Sequence, residues 1–228
     1  MIGIQFGFQE NLGHAKKDKF DSINFDLDRG IFVLCDGANS TPWGGEASKL
    51  CSLTVLEGLK NGSADDKLKT INVFDHSDLL IKKQYKSAAC TCISAEVLPD
   101  GISLASCGDS LIELYTFRSI LGWNKAFSSK LDLIENTQSP SQLLGSPAYS
   151  APNLHLIKPK SVFSILLMSD GLYRYTTSAD RLKMVKKIGR HTPSNEDLSY
   201  LSSEISLLAM KNHSLDDISI GIIWGYFR

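Results

Sequence analysis

Short apolar runs, several closed by Gly, Asn or Asp, fill the first part and the middle of the chain, and two amphipathic stretches stand near its end. Residues 2–8 alternate as Ile2, Ile4, Phe6 and Phe8, the period of a half-buried strand. Residues 19–25 and 30–36 read as two more strands, the second almost continuously apolar. From Trp43 the period changes to that of a helix: Ala47, Leu50, Cys51, Val55 and Leu59 form one stripe, which Asn61-Gly62 ends. Residues 78–85 allow a short helix. Strands at 88–98 and 102–106 flank Pro99-Asp100-Gly101 and predict a hairpin, and 111–117 continues the meander. Residues 128–153 carry Ser, Pro, Gly and Gln without periodicity and read as a loop. A core strand at 162–169 follows, then a helix at 178–188. The next helix has Ser194 as N-cap, Asp197 three residues on, and Leu198, Leu201, Ile205 and Leu208 along one face. A last strand spans 218–226.

Hairpins combined with helices that are not interleaved one per strand predict an α+β sandwich, with sheets covered by helices. No internal repeat or low-complexity linker divides the sequence, so residues 1–228 are expected to form one domain.

Composition narrows the function. The chain has 228 residues, 24 Lys+Arg against 25 Asp+Glu, and a formal net charge of -1, which disfavours a uniformly basic nucleic-acid binder. Its longest apolar stretches fall short of the roughly 20 residues of a membrane helix, and the N-terminus has no secretory pattern. The five cysteines are an odd number in apolar or small-residue runs. They read as buried thiols of a reducing compartment, which places the protein in the cytoplasm. Cys90 and Cys92 lack a second Cys or His pair at zinc spacing. The acidic set is skewed, with 17 Asp against 8 Glu.

The Asp surplus collects where apolar strands stop. Asp36-Gly37 closes one strand, Gly108-Asp109-Ser110 another and Ser169-Asp170-Gly171 a third, while Asp216-Asp217 opens the last. Each Asp-Gly alone is an ordinary turn. Together, carboxylates at one rim of a sheet repel unless they are protonated or neutralised, and hard divalent cations with oxygen ligands neutralise them.

In this order the motifs resemble those of the metal-dependent Ser/Thr protein phosphatases of the 2C type. Asp18, then Asp36-Gly37 with Gly44-Gly45-Glu46-Ala47-Ser48, then Gly108-Asp109-Ser110, Ser169-Asp170-Gly171 and Asp216-Asp217-Ile218-Ser219 carry the resemblance across nearly the whole chain. It implies a four-layer αββα sandwich, two central antiparallel sheets flanked by helices, with a metal centre at one end. It also implies two Mg²⁺ or Mn²⁺ ions and a third held more weakly. Asp36, Asp170 and Asp216 would hold the first ion, Asp36 and the Gly37 carbonyl the second, Asp109 and Asp170 the third. Asp18 would bind metal-held water or a metal. The implied reaction is hydrolysis of phosphoserine or phosphothreonine by a metal-bridged hydroxide, without a protein nucleophile. Catalysis would then rest on Asp36, Asp170 and Asp18. The implied partner is a phosphorylated protein, a Ser/Thr kinase or its target, with no nucleic acid and no membrane.

The first motif departs from the family pattern, which has an Arg that grips phosphate and often a Glu just before the Asp. Here Gly13-His14-Ala15-Lys16-Lys17 precedes Asp18. Lys17 either points to solvent or joins His14 and Lys16 as a candidate phosphate-binding cation. The departure keeps a second reading open: a catalytically weak or inactive domain of the same fold that binds a partner protein. Asp26-Leu27-Asp28 precedes its strand instead of ending one, against an aspartyl nucleophile. No Cys has an Arg six positions later, and neither a P-loop nor a Gly-x-Ser-x-Gly elbow is present.

Overall fold

The computed structural model describes residues 2–11, 19–61, 67–159, 162–189 and 191–227. Among these residues, ten strands form two antiparallel five-stranded sheets. One sheet orders β1 (Ile2–Asn11), β10 (Ile218–Phe227), β9 (Val162–Met168), β6 (Leu111–Arg118) and β7 (Gly122–Ser128). The other orders β2 (Asp21–Asp26), β3 (Ile31–Asp36), β4 (Cys92–Leu98), β5 (Gly101–Cys107) and β8 (Asn153–Ile157). Helices α1 (Gly44–Lys60) and α2 (Lys67–Gln84) cover the second sheet. The short α3 (Asp170–Tyr173), α4 (Ser178–Ile188) and α5 (Asn195–Lys211) lie on the first. This is the four-layer αββα sandwich.

Strand parity explains the nearly continuous apolar runs. In β3, Phe32 and Leu34 point between the sheets, where they join Phe163, Ile165 and Leu167 of β9. Ile31, Val33 and Cys35 point the other way, against Ala47, Cys51 and Val55 of α1. In β9, Leu166 and Met168 face α4 and α5. Both strands are buried on two faces, so neither alternates with polar residues. All five thiols are free and buried in the layer between the second sheet and its helices.

The structure extends the sequence reading at three places. Helix α2 runs over 18 residues, where periodicity marked only its end. Its buried face carries Thr70, Ser77 and Asp78 beside Phe74 and Ile81, so polar residues interrupt the apolar stripe. Asp78 there accepts the Gly145 N–H (2.8 Å) and the Lys82 ammonium (2.7 Å). Strands β7 and β8 are sheet edges with mostly half-buried or exposed side chains, which removes the signature of a buried strand. The hydroxyl of Ser194 accepts from the Asp197 N–H, and the Asp197 carboxylate accepts from the Ser194 N–H, a complete capping box.

One charge network is buried in the first sheet. Glu113 of β6 is 1% exposed and takes a two-pronged ion pair from Arg181 of α4, at 2.8 and 3.1 Å. The Tyr115 hydroxyl (2.7 Å) and the Lys125 ammonium (3.0 Å) donate to it as well. Burial alone would raise this carboxyl; Arg181, Tyr115 and Lys125 outweigh it and hold the pKa below the ordinary value. Arg181→Ala leaves a carboxylate buried without its main partner and is expected to cost about 3–5 kcal/mol, read from urea unfolding. Glu113, depressed in the folded state, stabilises above about pH 4.3, and that stabilisation is lost as pH falls through its folded pKa. The acid limb of the stability curve should therefore be shallower in Glu113→Gln than in wild type.

Candidate metal centre

Antiparallel pairing brings the acidic strand ends to one rim between the sheets. Asp21, first residue of β2, lies opposite Asp36, last residue of β3, and both share the side facing the other sheet. Asp170 follows β9 as the first residue of α3, and Asp216 and Asp217 lead into β10 beside it. Two glycines permit the close approach. A Cβ on Gly171 would collide with the carbonyl of Asp217, so α3 could not seat against the start of β10. Gly108 adopts φ +94 in the turn that aims Asp109 at the rim.

Each carboxylate has a distinct environment. Asn39 donates its side-chain N–H group to both oxygens of Asp216 (3.1 and 2.9 Å), and the Asp217 N–H donates to Asp216 Oδ1 (2.8 Å). Asp217, 2% exposed, accepts the Phe20 N–H at 2.6 Å and so ties the entry of β2 to the start of β10. The Asp36 N–H is held by Thr91 Oγ1 (3.1 Å), which pairs with Ser110 Oγ (2.7 Å). Burial pushes Asp36 well above the usual carboxylate range, and the charges of Asp21, Asp170 and Asp216 push the same way. Asp170 is raised by burial and by Asp216, against the opposing pull of Arg174. Burial raises Asp21 to about 7. The hydroxyls of Ser219 and Ser169 lie near enough to temper that rise, yet neither Asp21 oxygen has a hydrogen bond of normal geometry among the described residues.

These features fit divalent cations. Asp170 Oδ1 and both Asp21 oxygens are buried without a hydrogen-bond partner among the described residues. Acceptor-only groups left unpaired inside a protein are costly unless a proton or a cation meets them. Asp36, Asp170, Asp216 and Gly37 line one cleft of about 210 Å³. A more open cleft of about 740 Å³ adjoins it, sharing Asn39, Asp170 and Asp216 and adding Phe20, Gln138 and Arg174. The third position does not fit in the same way. Asp109 and Asp170 are joined by Arg174, whose Nη2 lies 2.7 Å from Asp109 Oδ2 and whose Nη1 lies 3.3 Å from Asp170 Oδ2.

Of the residues singled out from sequence, Asp36, Gly37, Asp109, Asp170 and Asp216 meet at this rim. Asp18, His14, Lys16 and Lys17 lie outside the described residues. Among the described residues, the acid paired across the hairpin with Asp36 is Asp21, three residues after Asp18, with Phe20 immediately before it. Hairpin arithmetic could have found it: Phe25 pairs with Phe32 across the turn at 27–30, so 21 must pair with 36. Asn39 and Arg174 carried no sequence signal of their own, and Asp217 stood only as the second acid of the pair that opens the last strand. The Cys35, Cys51 and Cys92 sulfurs come within 4.8 Å of one another in the layer beneath. Burial pushes the Cys35, Cys90 and Cys92 thiols up, so they stay protonated and pack as small apolar side chains.

Two stacked antiparallel sheets, helices outside both and a carboxylate rim at one end define the class of fold. A family model described as protein phosphatase 2C matches residues 10–203, and the chain belongs to that family of metal-dependent Ser/Thr phosphatases. Among solved structures, the chain is similar to the PstP catalytic domain in complex with two manganese ions: TM-score 0.81, 16% identity, 99% of each chain covered. The Mycobacterium tuberculosis serine/threonine phosphatase PstP/Ppp gives 0.78 at 15% identity over 100% of both chains. Stp1 from Staphylococcus aureus gives 0.75 at 18% identity over 99% of this chain and 96% of its own. At these identities the likeness is one of fold. No curated protein matches the chain.

The raised Asp21 has a measurable consequence in chelated protein. Its folded pKa of about 7 exceeds the ordinary 3.8, so the folded form binds a proton that the unfolded chain releases between those values. The destabilisation is full above pH 7 and disappears as pH falls toward 4, and Asp36 acts in the same direction. In EDTA, wild type should melt higher at pH 6 than at pH 8, with a smaller difference in Asp21→Asn. Equal differences in the two proteins would contradict the assignment.

Proposed function

We propose that this chain is a Mg²⁺- or Mn²⁺-dependent phosphatase that hydrolyses phosphoserine or phosphothreonine on proteins. The observation that carries the reading is the convergence of Asp36, Asp170 and Asp216, from three separate strand ends, on one cleft. In this reading those three hold one cation, and Asp36 with the Gly37 carbonyl oxygen holds the second. When bound, a pair of such ions acidifies a shared water and offsets charge on the phosphoryl oxygens.

The protein's own groups do the rest. Asn39 fixes the orientation of Asp216 through its two hydrogen bonds. Asp21, a buried carboxylate opposite Asp36, joins Asp18, to which the family resemblance gave the role of binding metal-held water or a metal, and holds a proton at a carboxylate oxygen. His14, Lys16 and Lys17 precede the segment that enters the open cleft at Phe20, and they supply the cation that binds substrate phosphate. The open cleft suits a phosphorylated side chain on a protein, a Ser/Thr kinase or its target. No helix among the described residues is long and apolar enough to cross a membrane, and the free thiols suit a reducing compartment, for which we infer the cytoplasm.

The test is hydrolysis of p-nitrophenyl phosphate and a phosphothreonine peptide with and without Mn²⁺. Removing the cations, or Asp36→Ala or Asp170→Ala, forfeits several kcal/mol of barrier lowering, a loss of about a thousandfold or more. Turnover that survives EDTA or Asp36→Ala contradicts the proposal. Lys16→Ala is expected to lower kcat/KM by about 10- to 100-fold, the worth of one charge-assisted hydrogen bond. An unchanged kcat/KM removes Lys16 from the phosphate-binding set.

A further inference from the structure

We infer that the Arg174 guanidinium is a built-in cation that closes the third metal position, so that the chain works with two ions. The inference rests on the two-cation reading above. Arg174 ends the short helix α3 that begins at Asp170, one turn away, so the fold delivers its side chain to the rim together with Asp170. Its Nη2 donates to Asp109 Oδ2 and to the Gln138 carbonyl, both at 2.7 Å. Its Nη1 faces Asp170 Oδ2 at 3.3 Å and Gln138 Oε1 at 3.5 Å, and Nε faces the Tyr173 hydroxyl at 3.5 Å. Every nitrogen of the guanidinium thus has an acceptor, so the group is occupied as a counter-ion and does not serve as a grip for substrate phosphate.

The arrangement performs the electrostatic work of a metal ion without one. Asp109 is 7% exposed, and an isolated buried carboxylate next to Asp170 would take up a proton. Arg174 supplies one permanent positive charge between the two, because a guanidinium does not deprotonate in proteins. A divalent ion that bound Asp109 and Asp170 together would have to expel a group that is held by four residues. Its Gln138 contacts also fasten the 128–153 loop over the rim, so the same side chain fixes the wall of the open cleft.

The test counts ions. Mn²⁺ bound to purified protein is titrated by electron paramagnetic resonance of free Mn²⁺, with near-ultraviolet circular dichroism as the check on folding. Wild type should bind two ions, and Asp109→Asn should also bind two, because Asp109 ligates none. Arg174→Gln should bind a third, weaker ion, and Arg174→Gln with Asp109→Asn should return to two. Three ions in wild type with one lost in Asp109→Asn, or two ions in a folded Arg174→Gln, overturns this inference and leaves the two-cation reading standing. No bound Mn²⁺ in wild type overturns that reading and this inference with it. Where Arg174→Gln does not fold, the comparison of wild type with Asp109→Asn decides.

Discussion

Mutual repulsion of carboxylates is the constraint on which the rest of this structure depends. Asp21, Asp36, Asp170 and Asp216 are held near one another by strands whose positions the packed apolar layers fix, so they cannot relax apart. In water such charges would cost little; with apolar sheets on both sides, the effective dielectric falls and each raises the proton affinity of the next. The sandwich supplies the rigidity: Phe32, Leu34, Ile165 and Leu167 fill the space between the sheets directly behind the rim. A fold with a softer core would spread the acids, and the rim would lose its concentrated negative charge.

The protein meets that repulsion in three ways at three depths. Behind the cleft, Asp21 lies opposite Asp36 with no hydrogen-bond partner for its oxygens among the described residues, which leaves protons or metal ions to neutralise the pair. At the mouth, Arg174 is a permanent counter-charge for Asp109 and leans on Asp170. On the far side, Asp217 accepts the Phe20 backbone N–H, which turns a further acid into a structural tie between β2 and β10. The difference follows from donors. Asp109 and Asp217 each have an oxygen met by a guanidinium or a backbone N–H, whereas both oxygens of Asp21 and Oδ1 of Asp170 have no hydrogen-bond partner among the described residues and stay open to exchangeable ligands.

Legibility in the sequence followed the same division. Elements buried on two faces, such as β3 and β9, and helices with a full apolar stripe and caps, such as α4 and α5, announce themselves by pattern. Edge strands β7 and β8 and helix α2 do not, because solvent on one side or buried polar groups on the other dilute the period. At the site, the acids at strand ends were visible because an apolar run stops abruptly at each. Asp21 was not: Lys19 and Phe20 precede it and Ser22 follows, so nothing local separates it from Asp18. Only the register of the hairpin singles it out. Arg174 and Asn39 are partners by tertiary contact alone, which no spacing rule encodes.

The surplus of Asp over Glu is the chemical trace of this architecture. An acid that acts from a strand end or a turn must keep its carboxylate within one methylene of a rigid backbone, and Glu adds a rotatable bond that costs order. The same economy appears away from the rim. Asp132 accepts the Gly108 N–H (3.1 Å), the Gln142 amide (2.8 Å) and the Asn153 amide (2.9 Å), while Asp78 takes the Gly145 N–H. Those short acids pin both halves of the 128–153 loop, which has no periodicity and little apolar burial to hold it. The loop then brings Gln138 to Arg174. Asp residues therefore do two opposed things in one protein: at the rim they concentrate mutual repulsion, and away from it they accept hydrogen bonds that keep the walls of the site in place.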